Sequence, residues 1–399
     1  MRSAPWRGPD RTVAGEGPAP YPSEKTGEIF LIPVVLSAML SVMVAPSASS
    51  DAGVAMYELP LLAGHTSSWA QAMNDAGDVV GLSLDENENG HLVRWGADGS
   101  LTPLQAIDGG SGGHAVKIVE DGTVAGFTDT PEGVRHAARW DASGVLTRLE
   151  EPSGYVDGEA QDINNSHVAV GHLSTDSHTR PVRWGADGRA TELRLPPQAD
   201  GGSAVGINEW GEIAGYVFVP GEKTRAVRWD IWGRVHDLGS LGGSRSNPTA
   251  INDRGTVIGE ATDEAEAWQG VRASFGRKFK ALPSQGIGAR SVSINNADVV
   301  VGNVKDHAVR WDGDDTTELQ VLRGTGRVFV KGINDAGTSV GTSDEFAVTW
   351  DAQGRVTALP LPAGVDRTQP TAINATGSVA GNVGSSRSWP VRWRAAIWR

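Results

Sequence analysis

The chain contains no cysteine. Disulfides and thiolate-held metals are thereby excluded. Positive charge is also short: 35 Lys and Arg stand against 48 Asp and Glu, a formal charge of -13, which would repel a phosphate backbone and excludes nucleic acid as an expected partner. Aromatic residues are few, 6% of the chain, whereas there are 52 glycines. That balance predicts a turn-rich β protein. H-E-x-x-H, G-x-S-x-G and G-x-x-x-x-G-K-[ST] are all missing, so the expectation is a protein without catalytic residues or a required cofactor. A pair of carboxylates needs no local motif, which keeps an extracellular polysaccharide hydrolase or lyase, with its acids at a channel mouth, as the alternative.

Long apolar runs are scarce too. The exception is Ile29–Ala45, 17 uncharged residues followed by Ala48-Ser49-Ser50. Small residues after such a run suit a signal peptidase, so residues 1–50 are expected to be a signal peptide with an extended N-region and the protein to be secreted, either free or associated with the cell surface. Retention of the run as a membrane anchor is the alternative, and it is marginal in length for a span.

From Ala70 onward one unit recurs eight times: A-x-x-I-N-D-x-G-x-V-V-G, a variable stretch, then A-V-R-W-D-x-x-G. The closing glycines are Gly81, Gly126, Gly171, Gly215, Gly259, Gly302, Gly341 and Gly381, at steps of 39 to 45 residues. Units of this length cannot bury their apolar faces alone and must stack on neighbours. In the first unit, turn chemistry places four strands, a to d, at 68–74, 78–84, 91–96 and 101–107. Four antiparallel strands in about 43 residues make a propeller blade. Residues 51–399 are therefore expected to form one eight-bladed β-propeller, with an open β stack or a seven-bladed ring as alternatives. The segment Glu58–Gly64 matches Ala358–Gly364, the d segment of copy seven, and the last copy runs out of chain. Hence 57–62 should pair into the last blade and close the ring, removing exposed edges.

Repeated residues are read first as structure. Trp95, Trp140, Trp184, Trp229, Trp311, Trp350 and Trp393 occupy one slot, with Phe275 in copy five, and should pack between blades. Asn74, Asn164, Asn208, Asn252, Asn295, Asn334 and Asn374 should lock the a–b turns, Val119 being the departure. Arg94, Arg139, Arg183, Arg228, Arg310 and Arg392 should pair with carboxylates of a neighbouring blade rather than ring an anionic ligand. His167, in place of a turn glycine, reads as a turn substitution.

Function is sought where copies differ. The interval from the b-strand glycine to the aromatic slot is 14, 14, 13, 14, 16, 9, 9 and 12, which predicts a high rim on the b–c face around blades 1–5 and a recess over blades 6 and 7. Trp268 and Trp389 lie in b–c loops outside the repeat and are candidate ligand platforms. Asp85, Asn87 and Asn89 match the first half of a calcium loop, though Gly96 stands where its bidentate Glu belongs. Asp263, Glu264 and Glu266 form an acidic loop, read as solvated.

The I-N-x-x-G-x-V-x-G half, with His307-Ala308-Val309-Arg310-Trp311 and His136-Ala137-Ala138, resembles the HAF repeat of bacterial extracellular proteins over about 57–399. The resemblance implies a secreted repeat protein and supplies no catalytic residues. The expectation is a secreted, monomeric, non-enzymatic propeller that binds a glycan or protein on its b–c face, with membrane contact only if the apolar run is kept; a purely structural spacer is the third reading.

Overall fold

A computed structural model describes residues 54–399 except 108–109, 111, 222, 285–287, 325 and 386–391. The expected leader at 1–50 and Trp389 lie outside the described residues. Eight four-stranded antiparallel sheets follow one another, and no helix occurs among the described residues. Blade 1 comprises Ser67–Met73, Val79–Leu84, Gly90–Trp95 and Leu101–Pro103, so strand d is shorter than the turn pattern suggested. The chain forms an eight-bladed β-propeller. In the last sheet Met56–Glu58 supplies the outer strand, pairing antiparallel with Ala396–Trp398 of the strand Arg394–Trp398. Two further bonds between Ala55 and Arg399, at 2.8 and 3.0 Å, extend the latch by a residue on its outer side. The closing strand thus lies a little before the expected 57–62.

Eight apolar clusters hold the ring, and each mixes residues of two neighbouring blades, the eighth-to-first junction included. The core is therefore annular. Tryptophan fills the repeated slot because its indole is wide enough to span two sheets and its N–H still needs a partner when buried. Each slot indole is at most 1% exposed and donates to a carbonyl after strand d of the preceding blade, as in Trp95 to Pro60 (2.8 Å) and Trp140 to Gln105 (2.7 Å).

Two slot assignments need correction. In blade 8 the slot holds Trp398, paired with Val379 and bonded to Pro360 at 2.9 Å; Trp393 lies upstream and packs edge-on against Trp69 at 5.4 Å. In blade 5 it holds Ala273, while Phe275 is 62% exposed in the turn. The volume missing at Ala273 is made up by Phe279 in the same cluster, whose backbone N–H takes the Leu238 carbonyl at 2.8 Å. The glycine-to-slot intervals become 14, 14, 13, 14, 14, 9, 9 and 17. Blades 6 and 7 remain low, but blade 8 carries the longest b–c connection.

The asparagines lock their turns and do more. Asn74 accepts the Asp78 N–H at 2.8 Å, and its amide donates to the Val119 carbonyl of blade 2 at 2.9 Å. Seven such inter-blade bonds, from 2.8 to 3.3 Å, run round the axis and pass from Asn374 to Asp75 across the closure. Val119 has no amide, so its link is missing. A second belt joins the next residue's N–H to the corresponding side chain of the following blade, as in Glu209 to Asp253 (2.9 Å) and Ala375 to Asp75 (2.6 Å).

Four of the arginines bridge blades by a different route from the one expected, and Arg183 is exposed without a bridging bond among the described residues. Arg94 pairs with Asp78 of its own blade at 2.6 Å and reaches the Ala142 carbonyl of the next at 3.1 Å. Arg139 bonds the carbonyls of His167 and Ala186, Arg228 that of Gly255, and Arg310 that of Gly337. The neighbouring partners are turn carbonyls, which a multidentate guanidinium can satisfy, rather than carboxylates. In blade 8 this work falls to Arg399, bonded to Ala97 and Gly77, and not to Arg392.

Candidate functional site

In each blade strand a carries a bulge between the residue three before the repeat Ile and the residue one before it. The b-strand glycine opposite exists because of this crowding: a Cβ at Gly126 would run into the carbonyl oxygen of His114, and one at Gly171 into that of Glu159. The residue owning that carbonyl stands four before the repeat Ile. Across the eight copies it is Trp69, His114, Glu159, Ser203, Asn247, Arg290, Phe329 and Gln369. No residue type occurs twice. Fixed neighbours around a position that never repeats indicate that the backbone is being used as a frame for a non-repeating surface.

In blades 2–4 these positions assemble a polar-aromatic patch near the b–c end of strands a and b. His114 of strand Gly112–Ile118 stacks on Phe127 of Val124–Asp129, with centroids 5.7 Å apart and planes 13° apart. Arg135, opening strand Arg135–Trp140, lies over the same Phe127 ring at 4.9 Å. Its guanidinium also pairs with Glu159 of the neighbouring blade, with Asp129 3.9 Å away. In blade 3, Asp157 and Glu159 share one side of strand Asp157–Ile163 because side chains alternate along a strand, and His172 of Ala169–Ser174 is the direct ladder partner of Glu159. Ser203 Oγ of blade 4 is 3.3 Å from His172 Nδ1, and Tyr216 stands opposite Ser203, edge-on to Phe218 at 5.6 Å.

Desolvation shifts several groups here. It pushes His114 and His172 below the ordinary imidazole pKa, against the attraction of Glu159. Burial raises the Asp157 carboxyl and the Tyr216 phenol. Two imidazoles, a raised carboxyl and an ion pair, flanked by aromatic faces, can both hydrogen-bond and stack on a ligand.

The residues singled out from sequence fare differently. Trp268 is half-buried at the start of strand Trp268–Ala273, with the Arg245 guanidinium 5.9 Å from its ring. It belongs to blade 5, outside the patch. Asp85 Oδ1 accepts the N–H groups of Asn87 and Asn89 at 2.8 and 2.9 Å, and Oδ2 accepts the Asn89 amide at 2.9 Å. The bond from the Asn89 side chain, first among these, holds the Asp85 carboxyl below its ordinary pKa. Its carboxylate is spent on an Asx turn. Asp263 serves its own loop in the same way, through the N–H groups of Ala265 and Ala267, while Glu266 accepts the Ser244 N–H of strand Gly242–Ile251 at 2.8 Å. His167 holds the positive φ of the missing glycine, at 59°. The aromatic residues most open to solvent among the described residues, Trp210 and Trp232 at 72% and 71%, sit on the opposite, a–b and c–d face.

Two recesses open elsewhere than over the b–c rim of blades 6 and 7. One of about 490 Å³ is bordered by His178, Arg180, Glu192 and Asp200 between blades 3 and 4. Another, of about 280 Å³, opens among Asp75, Glu209, Asp253 and Asp335, whose carboxylates already belong to the inter-blade belt. Lys117 lies there 2.9 Å from Asp162; burial opposes its charge, but Asp162, Glu209 and Asp253 raise its pKa.

No family model matches the sequence, and no curated protein sequence matches it. Several solved structures are similar in fold. One is from an analysis of two prolyl endopeptidases, at 13% identity and a TM-score of 0.53, covering 80% of this chain and 54% of that one. A streptogramin B lyase has 11% identity and a TM-score of 0.47 over 87% of this chain and 97% of its own. The propeller domain of the Trilobed protease from Pyrococcus furiosus has 12% and 0.47 over 74% and 98%. At such identities what this chain shares with them is the β-propeller fold.

Proposed function

We propose that this is a secreted, non-enzymatic propeller of HAF-repeat type that binds a glycan on its b–c face, at the patch formed by His114, Phe127, Arg135, Asp157, Glu159, His172 and Tyr216. The observation that carries the reading is the non-repeating strand-a position, which in three consecutive blades places aromatic faces beside carboxylates and a guanidinium. Sugar rings offer apolar C–H faces for stacking and hydroxyls for planar polar groups. With a formal charge of -13 on the chain, a neutral or cationic glycan fits better than a polyanionic one. A glycan array followed by calorimetry on the full chain tests this. Phe127→Ala should weaken binding about tenfold, since a ring stack contributes about 0.5–1.5 kcal/mol beyond its buried area. Equal affinity of wild type and Phe127→Ala for every bound glycan would remove the patch from consideration.

The second reading, a polysaccharide-cleaving enzyme, draws on the burial-raised Asp157 beside Glu159, a pairing that can supply a proton donor and a carboxylate. Release of new reducing ends, abolished by Asp157→Asn, would favour it over simple binding.

A further inference from the structure

Within the patch, an oxygen of Asp157, an oxygen of Glu159 and a ring nitrogen of His172 all lie within 4.8 Å of one another. We infer that these three residues form an open binding site for one divalent transition ion of the zinc or manganese class. The ladder creates the geometry: Asp157 and Glu159 are two residues apart on one strand, and His172 faces Glu159 across the pair, so all three donors come from a single side of the sheet. Such a facial set leaves the remaining coordination positions free for water or ligand. A nitrogen donor beside two carboxylates selects a borderline ion; calcium and magnesium prefer all-oxygen shells.

The surroundings fit a cation. Asp157 accepts one long bond, from the Arg135 N–H at 3.4 Å, among the described residues. Ser203, 4% exposed, approaches His172 Nδ1 and leaves the other ring nitrogen for the metal, the usual way an outer partner fixes a ligating imidazole. Gln161 Nε2 donates to Glu159 at 2.9 Å and steadies that carboxylate. Arg135 is the occupant now: its guanidinium pairs with Glu159, and its side chain is half exposed. Two carboxylates, Asp129 and Glu159, share that guanidinium, and Asp157 meets the Arg135 backbone N–H. Binding of the ion would move Arg135 from Glu159 towards Asp129.

The claim does not depend on the glycan reading, because the metal alone is the probe. Chelator-treated full-length protein is dialysed against Zn²⁺, Mn²⁺ and Ca²⁺ in turn, and bound metal is counted per chain. One equivalent of Zn²⁺ or Mn²⁺ is expected, bound more tightly than Ca²⁺. Glu159→Gln and His172→Gln should each raise Kd about tenfold or more, and Ser203→Ala should raise it less, with circular dichroism confirming that each variant folds. Arg135→Gln should tighten binding by removing the competing charge. No stoichiometric metal, metal binding indifferent to both ligand variants, a preference for Ca²⁺, or an Arg135→Gln variant that binds more weakly would each overturn the assignment and leave an ordinary ion-pair cluster.

Discussion

At the scale of single residues, the repeat is a set of side chains that each complete a bond in another blade. Trp140 is 0% exposed, packs in the cluster between blades 1 and 2, and donates to Gln105. Trp140→Ala should therefore cost about 3–5 kcal/mol in chemical unfolding, from lost burial and the cavity left behind. A change within about 1 kcal/mol would place that slot at the surface. Sequence pattern located this residue because a buried wide ring must recur wherever the blade recurs. It could not show that Asn208 donates to the Asn252 carbonyl at 3.0 Å, since an Asn fits a turn equally well with or without a neighbour. Phe279 leaves no such mark for a similar reason: its compensation for Ala273 is a matter of shared volume, which no single repeat position records.

At the scale of elements, a single turn can hold a strongly shifted carboxylate. Asp230, in the c–d turn of blade 4, is 6% exposed and accepts bonds from the Trp232 and Arg234 N–H groups, the Arg234 guanidinium and His236. Burial alone would raise its pKa, but the bonds from His236 and Arg234 hold it well below the ordinary carboxylate value. A depressed folded-state pKa means that the stabilisation is fully present above the unfolded value of about 3.9 and is lost as pH falls further towards the folded value. The stability difference between wild type and Asp230→Asn should hence be constant from about pH 5 to 7 and shrink below about pH 4. A difference that stays constant down to about pH 2.5 would assign the acid sensitivity to other carboxylates. The strands themselves were legible from glycine-bearing turns, although strand d ends at Pro103 rather than near 107. The patch was not, because its members lie inside strands at positions the repeat does not fix; its signal is the one strand-a position at which His114, Glu159 and Ser203 differ.

At the scale of the whole molecule, the ring is closed by an apolar cluster between blades 8 and 1 and by a short terminal strand. The strand Met56–Glu58, the pair of Ala55–Arg399 bonds, the Leu59 N–H to Ala395 and the Pro60 acceptor of Trp95 join the two ends of the propeller. Deleting 54–59 should lower stability by about 3–5 kcal/mol, at about 1 kcal/mol net per bond, and expose strand Arg394–Trp398 to proteolysis. An unchanged melting temperature and protease resistance would mean that the Asn and Arg belts close the ring unaided. The sequence by itself determined the number of blades, their four-stranded make-up and the place of closure, because each follows from a period along the chain and from turn residues acting locally. Only the tertiary structure decided that Trp398 rather than Trp393 fills the last slot, that the arginines seek turn carbonyls, and that three neighbouring blades bring His114, Arg135, Glu159 and His172 together. Contacts between blades couple residues some 40 positions apart through packing and bond direction, and neither leaves a periodic trace in one chain.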